Sequence, residues 1–540
     1  MNYKICLITV FLQWTVATTS NDPLLVQLPF GTLRGRDDGA YYSYEGIPYA
    51  EPPLGKLRFE PPQTYRQKWC GVLDASPQPK LCMQWDQLTN GTDKLVGVED
   101  CLTLSIFKPK SSKRRSFAVL VHIHGGAFMF GGSNKAPRPS FMENGSFILV
   151  SIRYRLGPLG FLSSEDASLS GNMGLKDQRM ALKWIKQHIV HFGGEPEHIV
   201  WMGFSAGGAS VHLQLLQADA QRLAKVAFSM SGNALDPWVM QQSARFKAFE
   251  LARIVGCGKL GSSAQLKRCL QQQPAEKIVR AVAQLQVFDY VPFNVFGVVV
   301  ESKQAPAAFL TQHPRDIMNR TCAIKLPWLV SYANEDGAYN AAALMQRDAN
   351  GVELIEQLNN RWFELAPHLL FYRQPGLSVK QMDAKSLQLR DQYMGQQNFS
   401  RQSYLDMQRM FTDVLFKRSI EQVTKLHRKH CKSPLYIYNY NIPTDLGAGV
   451  ILSKRTDIAF GASHAADYLL TVDASARPLR AAEIIVSRKL KTMLEQFVYS
   501  KQSSLSYANC ALPNNVGRQL FQLVSIRNSS CSIQQVKQLP

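Results

Sequence analysis

Residues 203–210 read GFSAGGAS, and their G-x-S-x-G spacing can present Ser205 as a nucleophile. A serine hydroxyl alone attacks poorly; it needs a base within hydrogen-bond reach and an acid that orients the base. Eleven histidines are available. His464, in FGASHAADY, lies late in the chain in a glycine-containing loop, where a base can reach over a sheet, and it is the candidate base. His122 and His124 bracket a strand end, and His212, about one helical turn past the serine, reads as structural. His427 and His430 sit in a basic helical segment and read as solvent-facing. For the acid, ANEDGAY places Glu335 and Asp336 just past the apolar run PWLVSY. Asp236, in NALDPW, is a further option, although Asp before Pro is common turn chemistry. The backbone N–H of Ala206 and those of HGGAF at 124–128 can receive a developing oxyanion. Together these groups point to acyl transfer from an ester through an acyl-serine, with no metal and no organic cofactor.

Such groups work only where the fold brings them together. Apolar runs at 119–123, 147–152, 199–202, 226–230, 327–332 and 435–440 read as buried strands. Leu182, Ile185, Ile189 and Phe192 recur at three- and four-residue steps and predict an amphipathic helix, stopped by Gly193 and Gly194. The run 199–202 leads directly into GFSAGG, and ASVHLQLL after it reads as helix, so Ser205 falls on a strand-to-helix turn. Strands separated by helices predict an α/β fold with a mostly parallel central sheet and helices on both faces. In such sheets chemistry collects at the carboxyl ends of the strands. Residues 240–320 and 340–430 are mainly helical and read as insertions forming a cap or pocket wall. There is no linker and no internal repeat, so 21–540 reads as one domain.

The chain has 540 residues, 45% hydrophobic and 19% charged, enough to bury a large core and too apolar for a disordered protein. Residues 1–20, MNYKICLITVFLQWTVATTS, have a basic start, a short apolar core and small residues at the end, which predicts a signal peptide and secretion. No other run is long enough to anchor in a membrane. Asn90, Asn144, Asn319, Asn398 and Asn528 are N-glycosylation acceptors. Cys82 with Cys101, Cys257 with Cys269 and Cys510 with Cys531 are close in sequence, and each bridge would contribute about 3 kcal/mol. Cys6 leaves with the signal peptide, so Cys70, Cys322 and Cys431 remain; the odd number implies a free or intermolecularly bonded thiol, read as a buried, inert cysteine. The formal net charge is +20, but the basic residues are scattered. The densest stretch, KPKSSKRR at 108–115, lacks interleaved aromatics and reads as an exposed loop, which argues against nucleic-acid binding.

The chain resembles the type-B carboxylesterase and cholinesterase family of α/β-hydrolases over nearly its whole mature length. GIPYAEPPLGKLRF at 46–59 and EDCLTLSIF at 99–107 are similar to two family signatures, and GNMGLKDQRMALKWI through FGGEP to GFSAGGASV resembles the serine signature. PLLVQLPFGTLRGR, SGNALDPW and EDGAYNAA are most similar to secreted insect β-esterases. The resemblance implies an α/β-hydrolase fold, with Ser205 as nucleophile, His464 as general base and acid, and the residue before Gly337, Asp336, as orienting acid. Most members carry Glu there, whereas insect β-esterases similarly carry Asp; Glu335 is the fallback. It also implies an oxyanion hole from the amides of Gly126, Ala127 and Ala206, the three disulfides above, and structural ion pairs Arg58–Glu99 and Arg155–Asp177.

Several positions depart from the family pattern. Ala127 stands where a third glycine is usual, and alanine is restricted at positive φ. Phe204 stands before the serine, where cholinesterases carry Glu and juvenile-hormone esterases Gln. Ala465 and Ala466 follow the histidine where many relatives are acidic, leaving Asp467. Trp85 lies too near Cys82 to match the choline-binding tryptophan. These features argue against choline esters. The expected function is a secreted serine carboxylesterase acting on short to medium uncharged esters, as a monomer or homodimer, with a small-molecule ester as its partner. The alternatives are a hormone- or pheromone-specific esterase and a non-catalytic binding or adhesion relative.

Overall fold

Runs of β-branched, leucine and aromatic residues, flanked by glycine and proline, build the centre of the structure. The structure is a computed structural model describing residues 22–89, 91–110, 116–132, 139–142, 145–348, 350–374, 376–472, 477–499, 505–527 and 530–539. Its main sheet has eleven strands: β1 (Arg36–Asp37), β2 (Tyr41–Pro48), β3 (Thr103–Pro109), β4 (Phe117–Ile123), β5 (Phe147–Ile152), β6 (Gly194–Phe204), β7 (Val226–Met230), β8 (Trp328–Ala333), β9 (Leu435–Tyr440), β10 (Phe521–Arg527) and β11 (Ser530–Val536). Their spatial order is β11-β10-β9-β8-β7-β6-β4-β5-β3-β2-β1. From β5 to β10 every pairing is parallel. The edges, β1–β2–β3–β5 on one side and β10–β11 on the other, are antiparallel.

The parallel strands are buried on both faces, so they read as unbroken apolar runs; all seven residues of β4, FAVLVHI, are buried. The chain leaves β4 for β5 on one side and then crosses to β6 on the other. The sequence order therefore reverses at β4 and β6, and a crevice opens beyond the carboxyl ends of those strands. The helix Met173–His188, on the crossover from β5 to β6, packs against β6 and tightens into a 3-10 turn, Ile189–Phe192; Gly193, at φ 84°, ends it.

The expected strands are present, with 119–123 and 199–202 longer at one or both ends than their apolar cores. Strands β1, β2, β3, β10 and β11 were not marked by apolar runs alone: the edge strands β1 and β11 hold only exposed and half-buried positions, whereas β2, β3 and β10 are mostly buried but interrupted by buried polar residues such as Ser43, Glu45, Ser105, Gln522 and Ser525. Residues 340–430 are helical as expected, in Leu354–Leu369, Val379–Met394, Tyr404–Thr412 and Arg418–His430. Residues 240–320 hold the helices Ala244–Ile254, Ser263–Gln272, Ala275–Arg280 and Pro314–Arg320, but 286–313 run as irregular chain.

Disulfides join Cys82–Cys101, Cys257–Cys269 and Cys510–Cys531, with S–S distances of 2.04, 2.08 and 2.10 Å. The expectation for Cys322 and Cys431 is corrected: they bond to each other across 109 residues. Each lies a few residues before one of the paired parallel strands β8 and β9, and that pairing brings the two approach segments together. No cysteine of the described residues, Cys70 included, is free. Arg58 pairs with Glu99 at 2.6 Å and Arg155 with Asp177 at 2.7 Å, both largely buried. Arg58 also donates to the carbonyls of Leu270 and Gln273, which ties the N-terminal segment to the helix Ser263–Gln272. Residues 1–20, expected to form a signal peptide, Asn90, Asn144, Asn528 and residues 111–115 of the basic stretch lie outside the described residues. Asn319 and Asn398 are exposed. Among the described residues no helix is long and apolar enough to cross a membrane.

Candidate active site

Strand β6 ends at Phe204, and the helix Ala206–Leu215 begins one residue beyond Ser205. Ser205 alone makes the turn, at φ 57° and ψ −125°, a region that costs a non-glycine residue about 1–3 kcal/mol. The glycines on either side make the turn possible. A Cβ on Gly203 would lie 2.1 Å from the carbonyl oxygen of Gly207, and one on Gly207 would lie 2.0 Å from that of Ile123. The Ser205 N–H donates to the Met230 carbonyl at 2.8 Å, pinning the elbow to β7. Ala206 is the first helical residue, so its N–H is outside the intrahelical ladder and at the positive end of the helix.

The loop after β4 lies against this elbow: a Cβ on Gly125 would come 2.7 Å from the Phe204 carbonyl and 2.9 Å from Ser205 Cβ. Gly126, Ala127 and Phe128 follow at φ 104°, 54° and 61°. Ala127 therefore adopts the left-handed conformation that a third glycine would take without strain; alanine bears about 1–2 kcal/mol there. The Met129 and Phe130 N–H groups both donate to the Gly126 carbonyl, at 2.9 and 3.0 Å, so the loop folds back on itself. Gln84 holds it from outside, donating to the Gly131 carbonyl at 3.0 Å and accepting from the Gly131 N–H at 2.6 Å.

His464 lies in a loop before the short helix Ala466–Thr471. Its Nδ1 donates to Asp336 Oδ1 at 2.8 Å, and both side chains are buried. The other carboxylate oxygen accepts the Ala333 N–H at 2.9 Å. With Nδ1–H committed to the carboxylate, Nε2 keeps the lone pair that a base needs. Glu335 does different work. Its Oε2 accepts the Ala462 N–H at 2.7 Å and its own N–H donates to the Ala462 carbonyl at 3.1 Å, so it fixes the histidine loop without touching the ring. Asp236 accepts the Asn233 N–H and side-chain amide at 2.8 Å each, and also bonds Ser419; it closes a buried turn.

Three rings pack around the His464 imidazole: Phe204 at 4.8 Å, Phe416 at 5.1 Å and Tyr339 at 5.3 Å between centroids. Phe204 also stacks on Tyr468 at 5.0 Å, which in turn stacks on His122 at 5.2 Å. Phe416 sits on a π-helical turn, Asp413–Lys417, and the Leu415 carbonyl of that turn accepts the Trp238 indole N–H at 3.1 Å. Asp467 is fully buried, accepting the Tyr438 hydroxyl at 2.9 Å; burial pushes its carboxyl up from 3.8 to about 6, against the opposing pull of Tyr438.

The other histidines are structural. Burial holds His122, His124 and His212 down to about 3, 4 and 3, so they are neutral. His124 stacks on Tyr154, and His212 accepts the Ala234 N–H. The solvent-facing expectation for His427 is corrected: it is 1% exposed, packs beside Trp328 and bonds the Ser433 carbonyl at 2.8 Å. It faces inward because its helix lays that side on β8; His430, one turn on, is half-buried.

Ser205, His464, Gly125, Gly126, Phe204 and Tyr339 are among the residues lining one chiefly apolar cavity of about 390 Å³. Asp86 is the carboxylate on its wall, already accepting the Leu88 N–H and the Thr89 hydroxyl. Among the described residues no group of three or more His, Cys, Asp or Glu side chains is set to hold a metal ion. Gln84, Phe416 and Tyr468 were not found from the sequence. Tyr468 was within reach of it, four residues after His464 in the short helix that follows the histidine loop; Gln84 and Phe416 arrive from distant segments with no local signal.

A strained serine elbow and a buried histidine–aspartate pair at the switch point of a mostly parallel sheet define an α/β-hydrolase. Residues 22–536 match the carboxylesterase family. The chain is 53% identical to Esterase-5A of Drosophila pseudoobscura pseudoobscura over 99% of each chain, and 54% identical to Esterase-5B of Drosophila miranda over 98% of each. Its fold is similar to the crystal structure of juvenile hormone esterase from Manduca sexta with OTFP covalently attached, at a TM-score of 0.77 and 22% identity, covering 95% of this chain and 96% of that one. The chain belongs to the carboxylesterase family and is a serine carboxylesterase, a carboxylic-ester hydrolase.

Proposed function

We propose that Ser205, His464 and Asp336 carry this hydrolysis on small uncharged esters, and that the protein is secreted. The observation behind the assignment is the buried His464–Asp336 bond on the same cavity as the elbow serine. Ser205 Oγ attacks the ester carbonyl as His464 Nε2 takes its proton. Asp336 holds the tautomer and stabilises the imidazolium. The amides of Gly126, Ala127 and Ala206 receive the oxyanion, each donor worth about 2.7–4 kcal/mol in comparable sites. The imidazolium then protonates the leaving alcohol, and water, activated by the same nitrogen, releases the acid from the acyl-serine. All of these groups come from one chain, so a monomer suffices for catalysis and a homodimer would repeat the site.

Phe204 supports the preference for uncharged esters. It puts a neutral ring beside His464, so this position lends a quaternary ammonium no carboxylate charge. The test is turnover of 4-nitrophenyl acetate, with expected loss of at least about 10⁴-fold in Ser205→Ala at unchanged Tm. A neutral thioester of the same shape should be cleaved at least about tenfold faster, by kcat/KM, than a thiocholine ester. Retained turnover in Ser205→Ala would remove the serine assignment, and a preference for the thiocholine ester would remove the role given to Phe204.

A further inference from the structure

A second cavity, of about 460 Å³, opens on the other side of an aromatic partition and shares no lining residue with the first. The partition is built from rings in contact. Phe293 lies 5.1 Å from Tyr339, which faces the catalytic cavity, and 4.7 Å from Phe371, which faces the second. Trp238 stands beside Phe293 at 6.1 Å. The volume is within the range of small-molecule sites.

The chemistry of this second cavity is uneven. Met240, Phe246, Leu285 and Phe371 supply apolar wall, and Phe246 stands at the mouth, 69% exposed. The polar wall is rich in donors. Lys247 Nζ donates to the Val295 carbonyl at 2.9 Å, leaving two further ammonium protons. The Gln241 amide nitrogen is buried with no acceptor, while its oxygen accepts the Gly297 N–H. Arg373 donates to His368 Nε2 at 2.8 Å, which leaves guanidinium donors over, while burial and then the Arg373 charge hold that imidazole neutral. Asn294 Oδ1 is the one buried acceptor without a donor among these wall residues. The one carboxylate on the wall, Glu250, is held bidentately by Arg253 at 2.6 and 2.9 Å. Two cations and an orphaned N–H thus face a largely apolar pocket whose one lining carboxylate is already paired with Arg253.

We propose that this cavity binds the anion of an amphiphilic monocarboxylic acid, its carboxylate on Lys247 and Gln241 and its chain along Phe246, Leu285 and Phe371. Acids of this class are what ester hydrolysis releases, and here one is held outside the catalytic cavity. The lowered affinity of Lys247 for its proton, about 8 through burial and the nearby Arg373 charge, agrees with a cation lacking a counter-ion.

Decanoate serves as the probe. The enzyme is first inactivated with an organophosphate, checked by loss of turnover, so that the catalytic cavity is closed whichever residue carries the label. Calorimetry and indole fluorescence, with Trp238 on the wall, then report binding. One equivalent should bind, decanol should bind at least about tenfold more weakly, and Lys247→Met should weaken decanoate about 10- to 100-fold. Turnover of untreated Lys247→Met within twofold of the parent shows that it is folded. If that variant fails to fold, Phe246→Glu at the exposed mouth carries the test, with an expected loss of about tenfold by charge repulsion. No binding at millimolar decanoate, equal affinity in parent and variant, or equal affinity for decanol would each overturn the proposal.

Discussion

Asp336 and Glu335 are consecutive carboxylates with separate tasks: one bonds the imidazole, and the other bonds the backbone that carries it. Asp336→Asn should lower kcat by about 10³–10⁴-fold, because an amide favours the wrong tautomer. Glu335→Gln keeps an oxygen for the Ala462 N–H and should cost less than about tenfold. The kcat ratio of the two variants decides the assignment, and the opposite ranking would move the acid to Glu335. Asp467 makes a prediction about pH. Below about pH 4 its carboxyl is neutral whether the chain is folded or not. Between 3.8 and about 6 the unfolded chain ionises while the folded one keeps its proton, so stability falls as pH rises. Beyond that window the loss levels off at about 3 kcal/mol. Asp467→Asn removes this dependence, so its Tm relative to the parent should rise from pH 4 to pH 7. A constant Tm difference across that range would show that Asp467 does not titrate there.

At the scale of elements, what the sequence showed was local. The buried parallel strands could be read because burial on both faces leaves an unbroken apolar run, and the elbow could be read because Gly203 and Gly207 leave no room for a Cβ. The edge strands β1 and β11 were hidden by their exposed positions, and β2 and β10 by buried polar residues that break their apolar runs. The π-helical turn that carries Phe416 has no sequence pattern of its own; its contact with Trp238 joins segments far apart in the chain. The Cys322–Cys431 bond was hidden for a related reason: only the β8–β9 pairing makes residues 109 apart into neighbours. A bridge that closes so long a loop should contribute about 2–5 kcal/mol. Replacing both cysteines with alanine should lower Tm by several degrees while leaving KM for a small ester unchanged, because the bond lies at the amino ends of strands whose carboxyl ends carry the site. An unchanged Tm would mean that this loop is already restrained in the unfolded chain.

At the scale of the whole molecule, the candidate site was legible because its chemistry needs few residue types in a fixed chain order. Its surroundings were not, because the cavity residues Gln84, Tyr339 and Tyr468, and Phe416 behind the imidazole, come from four separate segments that only the closed fold brings together. The molecule's outer surface leads to the last prediction. Four disulfides among the described residues and five sequons suit an oxidising, glycosylating compartment. Asn319 closes an exposed helix end, and Asn398 lies in an exposed turn between the helices Val379–Met394 and Tyr404–Thr412. Neither lines the catalytic cavity. Expressed with its first twenty residues in a eukaryotic secretory host, the protein should reach the medium with glycans on both asparagines. Peptide mapping before and after N-glycosidase would locate them, and Asn319→Gln with Asn398→Gln should change turnover by less than about twofold. Protein retained inside the cell, or both sites bare in secreted material, would refute secretion through a glycosylating pathway. A large loss of turnover with intact Tm would instead show that one of these surfaces communicates with the cavity.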